Sequence, residues 1–292
     1  MNSIALASKF QPLLDKVYKN ASVTLDLEAK ESAVKFDGSN EIKILKLVLP
    51  PLGKYSRNDG FTKGYIEAKW ESWKLSQDRG REFSIDAMDD EETLGQTFGN
   101  ACGEFIRTKV VPQIDTYRFA TLAQAENIST GSGALASGLD VMNALRAGIT
   151  KMDEDEVPEE GRILYITSTN LGAVEDLDTT KSRKVLEHFA KIVKVPQSRF
   201  VSKVQYNETT EEIERASDGV NINFMIVAPS AVQAVAKHTK LRIFLADGDE
   251  GTGANKNQDA DAHKFQYRIY HDIFSYENKR AGIYCHTAPA SV

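Results

Sequence analysis

Residues 46–65 read KLVLPPLGKYSRNDGFTKGY, and their reading decides how the rest of the chain is put together. Pro50, Pro51 and Gly53 stop any strand ladder, while Asn58-Asp59-Gly60 is a strong turn signal because these residues tolerate positive φ. Before this stretch, EIKILKLVL (41–49) has strand composition. After it, in YIEAKWESWKL, Ile66, Ala68 and Trp70 alternate with Glu67, Lys69 and Glu71, the period of a strand with one face to bury. Strand, turn and strand make a ribbon of roughly 35 residues, and an isolated ribbon is marginal in water. Its middle is polar and charged. It needs a surface to lie on.

Downstream, Asp89 or Asp90 suits an N-cap, and Glu91 and Glu92 suit the positive end of a helix. Leu94, Phe98, Ala101, Cys102 and Phe105 follow helical spacing. The helix is expected to run to about Gln124 with a kink at Pro112, whose ring crowds the preceding turn. STGSG (129–133) reads as a loop, and 135–152 as an amphipathic helix through Leu139, Met142, Leu145 and Ile149. The acidic DEDEVPEE (153–160) reads as a solvated turn. The texture then becomes α/β. RILYITS is a buried strand, SRKVLEHFA a helix capped by Ser182, IVKVP a strand, and NFMIVAP a central strand leading into a helix, SAVQAVAKH. In the tail Phe265, Tyr267, Ile269 and Ile273 face one way, and Lys264, Gln266, Arg268 and Asp272 the other. A turn at Asn278-Lys279 gives a last strand, AGIYCH. Upstream, Ile4, Leu6, Phe10, Leu13, Leu14 and Val17 suggest an arm or short helix that packs on something else.

The 292 residues are 41% hydrophobic and 27% charged, a globular rather than disordered balance. No apolar run approaches a membrane span, and the N-terminus lacks the pattern of a secretory signal. A net charge of -6 argues against a general nucleic-acid binder, though a mildly acidic wall suits a container that repels what it encloses. Cys102 and Cys285 are far apart with no CxxC spacing, which excludes a cysteine-built zinc site. They are expected as buried thiols in a reducing compartment, with a single bridge between them left open.

The chemistry-bearing residues do not gather. His263 and His271 share a face of the tail strand but would stand about 26 Å apart, too far to hold one metal. His188, His238 and His286 are scattered and read as structural or surface residues. GSGALASG (131–138) lacks the Lys-Ser/Thr of a phosphate loop and follows a helix rather than a strand, so it reads as a flexible linker. Asp247, Asp249, Asp259 and Asp261 invite a calcium reading, but the loop lacks the closing glutamate of an EF-hand. No GxSxG elbow is present. No catalytic, cofactor-binding or metal residue is assigned, and no enzymatic activity is expected.

The order of parts carries more than any motif. With ALASKFQPLLDKVY, WESWKLSQDRGREFSIDAMDDEET, EFIRTKVVPQIDTYRF, EVPEEGRILYIT, KVPQSRF, INFMIVAPSAV and NQDADAHKFQYRIYHDIF, the chain resembles the major capsid proteins of tailed bacteriophages, over nearly its whole length. The resemblance implies an α+β, Hong Kong 97-type fold. Its parts would be an N-terminal arm (1–37), an extended β-hairpin loop (38–83), a peripheral domain with a long spine helix (84–160 and 241–292) and an α/β axial domain (161–240). It further implies a subunit that assembles with itself, as pentamers and hexamers, into an icosahedral shell around double-stranded DNA. That shell would be a virion capsid built in the host bacterial cytoplasm, with a portal and decoration proteins as partners and no membrane.

No long scaffolding segment precedes the arm, so a separate scaffolding protein is expected. No crosslinking lysine–asparagine pair maps onto the chain, so non-covalent shells are expected. On this reading the ribbon's missing core belongs to the next molecule. Lys54, Arg57 and Asp59 at its tip, Trp70 and Trp73 along it, and Asp78, Arg79 and Arg81 at its base are the candidate intersubunit contacts. An exposed ion pair contributes only about 0–1 kcal/mol, but a shell repeats it many times. Two other readings stand beside this one: an encapsulin-like compartment sharing the fold, and a cytosolic α/β enzyme whose ribbon folds back on its own chain.

Overall fold

The computed structural model describes residues 22–28, 35–37, 41–48, 50–55, 57, 61, 63–86, 96–244 and 262–289. In chain order the strands are β1 (Lys35–Asp37), β2 (Glu41–Val48), β3 (Glu67–Lys74), β4 (Gln77–Asp86), β5 (Ser129–Ser132), β6 (Ile163–Thr167), β7 (Lys191–Val195), β8 (Val204–Asn207), β9 (Glu212–Arg215), β10 (Ile222–Val227), β11 (Val232–Phe244), β12 (Ala262–Ser275) and β13 (Ile283–Thr287). The helices are α1 (Gln96–Phe105), α2 (Val111–Ala123), α3 (Gly138–Glu154), α4 (Ser168–Glu175) and α5 (Thr180–Glu187).

Every residue of β6 is buried, and in β10 Phe224, Met225, Ile226 and Val227 are fully buried. Such unbroken apolar runs belong to strands covered on both faces. They form the middle of a five-stranded sheet in the order β5-β13-β10-β6-β7, with β10 at its centre as the sequence indicates. The pairs β6–β7 and β13–β5 are parallel, and β10 runs antiparallel to both its neighbours. Helix α3 packs on β5, β13 and α4, burying Val141, Met142, Leu145, Ile149 and Met152. Leu139, counted on that face from spacing alone, is half exposed at the helix start.

Three sequence expectations are corrected here. STGSG is not a loop: β5 pairs in parallel with β13 from Tyr284↔Ser129 to Thr287↔Ser132. Its glycine and lack of apolar residues give no local strand signal, and α3 packs against it. SAVQAVAKH is not a helix either. After a 3-10 turn at Pro229–Ala231 it enters β11, which pairs antiparallel with β12 from Val232↔Ser275 to Phe244↔Lys264. The alanines favour helix locally, but a long partner strand overrides propensity. Finally, Thr179 rather than Ser182 is the cap of α5; Ser182 is the reciprocal member of its capping box.

The second sheet has the order β11-β12-β4. The long helix lies on it: Cys102, Ile106, Val110, Val111 and Ile114 form one core cluster with Phe265, Tyr267 and Ile269. This helix runs without interruption from α1 into α2 through a π turn, Ile106–Val110, closed by the Val111 N–H on the Ile106 carbonyl. Pro112 has no N–H for the Thr108 carbonyl, and its ring would crowd that carbonyl in an α-helix. The wider turn relieves the crowding. The expected kink is thus a π turn. The expected start of the helix, Asp89 to Glu92, lies outside the described residues, as does the acidic loop 247–261.

The third sheet, β1-β2-β3, is the ribbon. Its register runs from Glu41↔Lys74 to Val48↔Glu67. The ribbon ends at Lys74, because β4 leaves it and pairs with β12 from His271↔Gln77 to Ala262↔Asp86. The sheets also cross the segment boundaries drawn from sequence. β5 and β13, placed in peripheral segments, complete the sheet of β6, β7 and β10, and β11 joins β12 and β4. Cys102 and Cys285 are both buried free thiols, each raised to about 12 by burial.

Candidate functional site

At the ribbon's base, Ile42 and Trp73 face each other across the β2–β3 ladder and both are buried. Trp73 stacks on Phe274 at 4.7 Å and tilts against Tyr276 at 5.1 Å. Ile42, Leu75 and Val235 complete a small cluster with Tyr270 and Phe274, so the base is anchored on β11 and β12 of its own chain. The Tyr270 hydroxyl ties the same spot by donating to the Leu75 carbonyl at 2.9 Å.

The far end is different. Leu52 is 103% exposed, Phe61 86%, Tyr65 83%, Ile66 68% and Tyr55 57%. Of the large hydrophobic side chains that are exposed among the described residues, only Leu139 and Tyr206 lie elsewhere. Tyr55 and Phe61 make a ring contact at 5.0 Å, and Lys54, Arg57 and Lys63 stand exposed among them. Large exposed apolar patches of this kind are a feature of interaction sites.

The residues predicted as intersubunit contacts therefore divide. Lys54 and Arg57 are on the exposed tip. Asp59 lies outside the described residues. Trp70 is placed on β3 opposite Leu45, and Trp73 is buried at the anchor. The three base charges have partners within their own chain. Asp78 accepts from Arg268 Nε at 2.8 Å, Arg81 pairs with Glu211, and the Arg79 guanidinium lies 4.2 Å above the Tyr206 ring. Within the chain they tie β4 to β12 and to the β8–β9 hairpin, because β4 pairs with β12 rather than with the ribbon.

Those ties close one side of a cleft of about 440 Å³ between β4, the long helix and the β8–β9 hairpin. Phe83, Phe105, Ile114, Ile213, Tyr267 and Ile269 line it, and Lys109–Glu212 at 2.7 Å joins the rim. His271 lines it too, 2% exposed and with no hydrogen-bond partner for Nδ1. Among the described residues no group of His, Cys, Asp and Glu is arranged to hold a metal ion, and no helix is long and apolar enough to cross a membrane.

A second constellation escaped sequence reasoning. Asp115 and Arg118, one turn apart on α2, are both fully buried. They are joined to residues 22–28: Asp115 accepts from Thr24 Oγ1 at 2.7 Å and Ser22 Oγ at 3.0 Å, and Arg118 donates to Thr24 Oγ1 at 2.8 Å. The signal was there in QIDTYRF, where two opposite charges stand at helical spacing between Ile114 and Phe119. What they grip is remote in sequence and could not be read from it.

An anchored ribbon with a free apolar tip, a long helix laid on a three-stranded sheet, and a five-stranded α/β layer together define the Hong Kong 97-type capsid fold, the fold of tailed-phage major capsid proteins. Solved structures bear this out at low sequence identity. The chain is similar to the capsid protein of cyanophage P-SCSP1u (15% identity, TM-score 0.59, covering 93% of this chain and 89% of that one). It is similar to that of the myovirus XM1 (12%, TM-score 0.56, 92% of each) and to the virus-like particle from Pyrococcus furiosus (13%, TM-score 0.58, 96% and 98%). No protein-family model and no curated protein matches the sequence.

Proposed function

We propose that this chain is the major capsid protein of a tailed phage, a subunit that assembles with copies of itself into an icosahedral shell around double-stranded DNA. The observation that carries the reading is the ribbon: its base is buried on its own body while Leu52, Tyr55, Phe61, Tyr65 and Ile66 at the tip have nothing of that body to cover them. A monomer gains nothing from such a tip, whereas a neighbouring subunit supplies the missing burial. Lys54 and Arg57 beside it, with Asp59 near them in sequence, would select the register of the contact, since charges across an interface discriminate partners more than they add affinity. A portal, a separate scaffolding protein and decoration proteins belong to this reading, as does a virion location. The likeness to the Pyrococcus furiosus virus-like particle supports a second reading, a protein compartment with the same fold.

The test is Phe61→Ser with Tyr65→Ser, examined by negative-stain imaging and sedimentation beside the parent protein. The parent is expected to form closed shells. The double variant, altered only where side chains are exposed, is expected to remain a folded but unassembled subunit. A parent that stays a small soluble oligomer, or a variant that still forms full-sized shells, would remove the basis of the proposal.

A further inference from the structure

Residues 22–28 lie in the seam between the two larger sheets and touch elements of both. The Asp26 carboxylate accepts from Lys191 Nζ of β7 at 2.6 Å. Glu28 bridges the backbone of Ala234 in β11. Between these points a 3-10 turn, Leu25–Leu27, drops Leu27 into the main core, the cluster that includes Phe119 and Leu122 of α2. Leu27 is the only fully buried apolar side chain of this strap. Val23 packs half-buried against the same core, and most of the remaining grip is polar and comes from one face of α2.

Asp115 receives the Ser22 hydroxyl, the Val23 amide at 3.3 Å and the Thr24 hydroxyl, with Arg199 Nη1 at 3.3 Å on its second oxygen. Arg118 holds Thr24 Oγ1 from the other side and reaches the Glu28 carboxylate at 3.0 Å. Thr24 is thus a single hydroxyl held between a buried anion and a buried cation, donating to one and accepting from the other. Apolar contacts tolerate sliding by a residue, but buried charges with directed hydrogen bonds do not, and they fix register at a cost in desolvation.

We propose that Asp115 and Arg118 form a latch that holds residues 22–28 in the seam, and that this latch rather than the core fixes the register in which they lie there. The latch is a conformational device: it can release the strap while the two sheets keep their own packing, because only Leu27 and the half-buried Val23 would leave the core.

Thr24→Val tests it, since this nearly isosteric change removes both hydroxyl bonds from the strap without altering α2. Amide hydrogen exchange is followed by mass spectrometry on the intact purified protein. Exchange in peptides spanning 22–28 is expected to quicken by about tenfold or more, while peptides of β6 and β10 stay within about twofold of the parent. Thr24→Ser should restore protection, and Asp115→Asn should release the strap likewise. Unchanged exchange of 22–28 in Thr24→Val would overturn the latch. A rise shared equally by β6 and β10 would also overturn it, because the residues would then be supporting the whole fold. The readout is independent of whether shells form.

Discussion

His271 is a buried imidazole on β12, in edge contact with the Tyr117 ring at 5.8 Å. Burial lowers its pKa from the ordinary 6.5 to about 3, helped by the positive charges of Arg118 and Arg79. Below pH 6.5 the unfolded chain takes up a proton that the folded chain refuses. Stability is therefore complete above pH 6.5 and falls as pH drops from 6.5 toward 3, by up to about 1.4 kcal/mol per pH unit from this group. His271→Leu should abolish that component. Urea denaturation of parent and variant at pH 7, 5 and 4 checks this: the difference between them should move steadily in the variant's favour with acid, and a constant difference would show that His271 does not titrate so. The histidine was legible only as a residue of the inward strand face. Its neutrality follows first from burial and then from Arg118 and Arg79, which the fold brings near from other segments.

At the scale of elements, the ribbon shows how anchoring and exposure are divided along one hairpin. Trp73 carries the anchor, stacked on Phe274 and opposite Ile42. Trp73→Ala should lower the stability of the unassembled subunit by about 3–5 kcal/mol, the usual cost of removing a buried large aromatic, measured by chemical denaturation. A loss under about 1 kcal/mol would mean the base is held elsewhere. The ribbon's strands, the central β10 and the tail β12 were legible because their side chains alternate or run apolar on a sheet's own period. β5 and β11 were not. Ser129–Ser132 has no apolar residue to signal a strand, and the alanines of β11 read as helix until β12 is laid beside them. The π turn was legible only as trouble at Pro112, since its remedy depends on keeping Cys102, Ile106 and Val110 on the sheet.

At the scale of the whole molecule, the chain has exposed apolar surface at its ribbon tip, and on the proposed function a shell is the arrangement that would use it. In such a shell each contact could be weak, because it would be repeated many times. With no crosslinking pair assigned, any shells formed as proposed are expected to come apart completely when boiled in detergent, giving a single band at the monomer mass on a denaturing gel. A ladder of multiples would show covalent linkage. What the chain's sequence determined alone was the set of strongly periodic elements, the long helix and the ribbon that cannot cover itself, because these depend on side-chain spacing within one segment. Only tertiary structure decided that β4 joins the body, that Asp78, Arg79 and Arg81 are held within the chain, and that Asp115 and Arg118 grip residues 22–28. Those outcomes depend on partners many residues away, and a charge is committed by whatever the fold sets beside it, not by its neighbours in sequence.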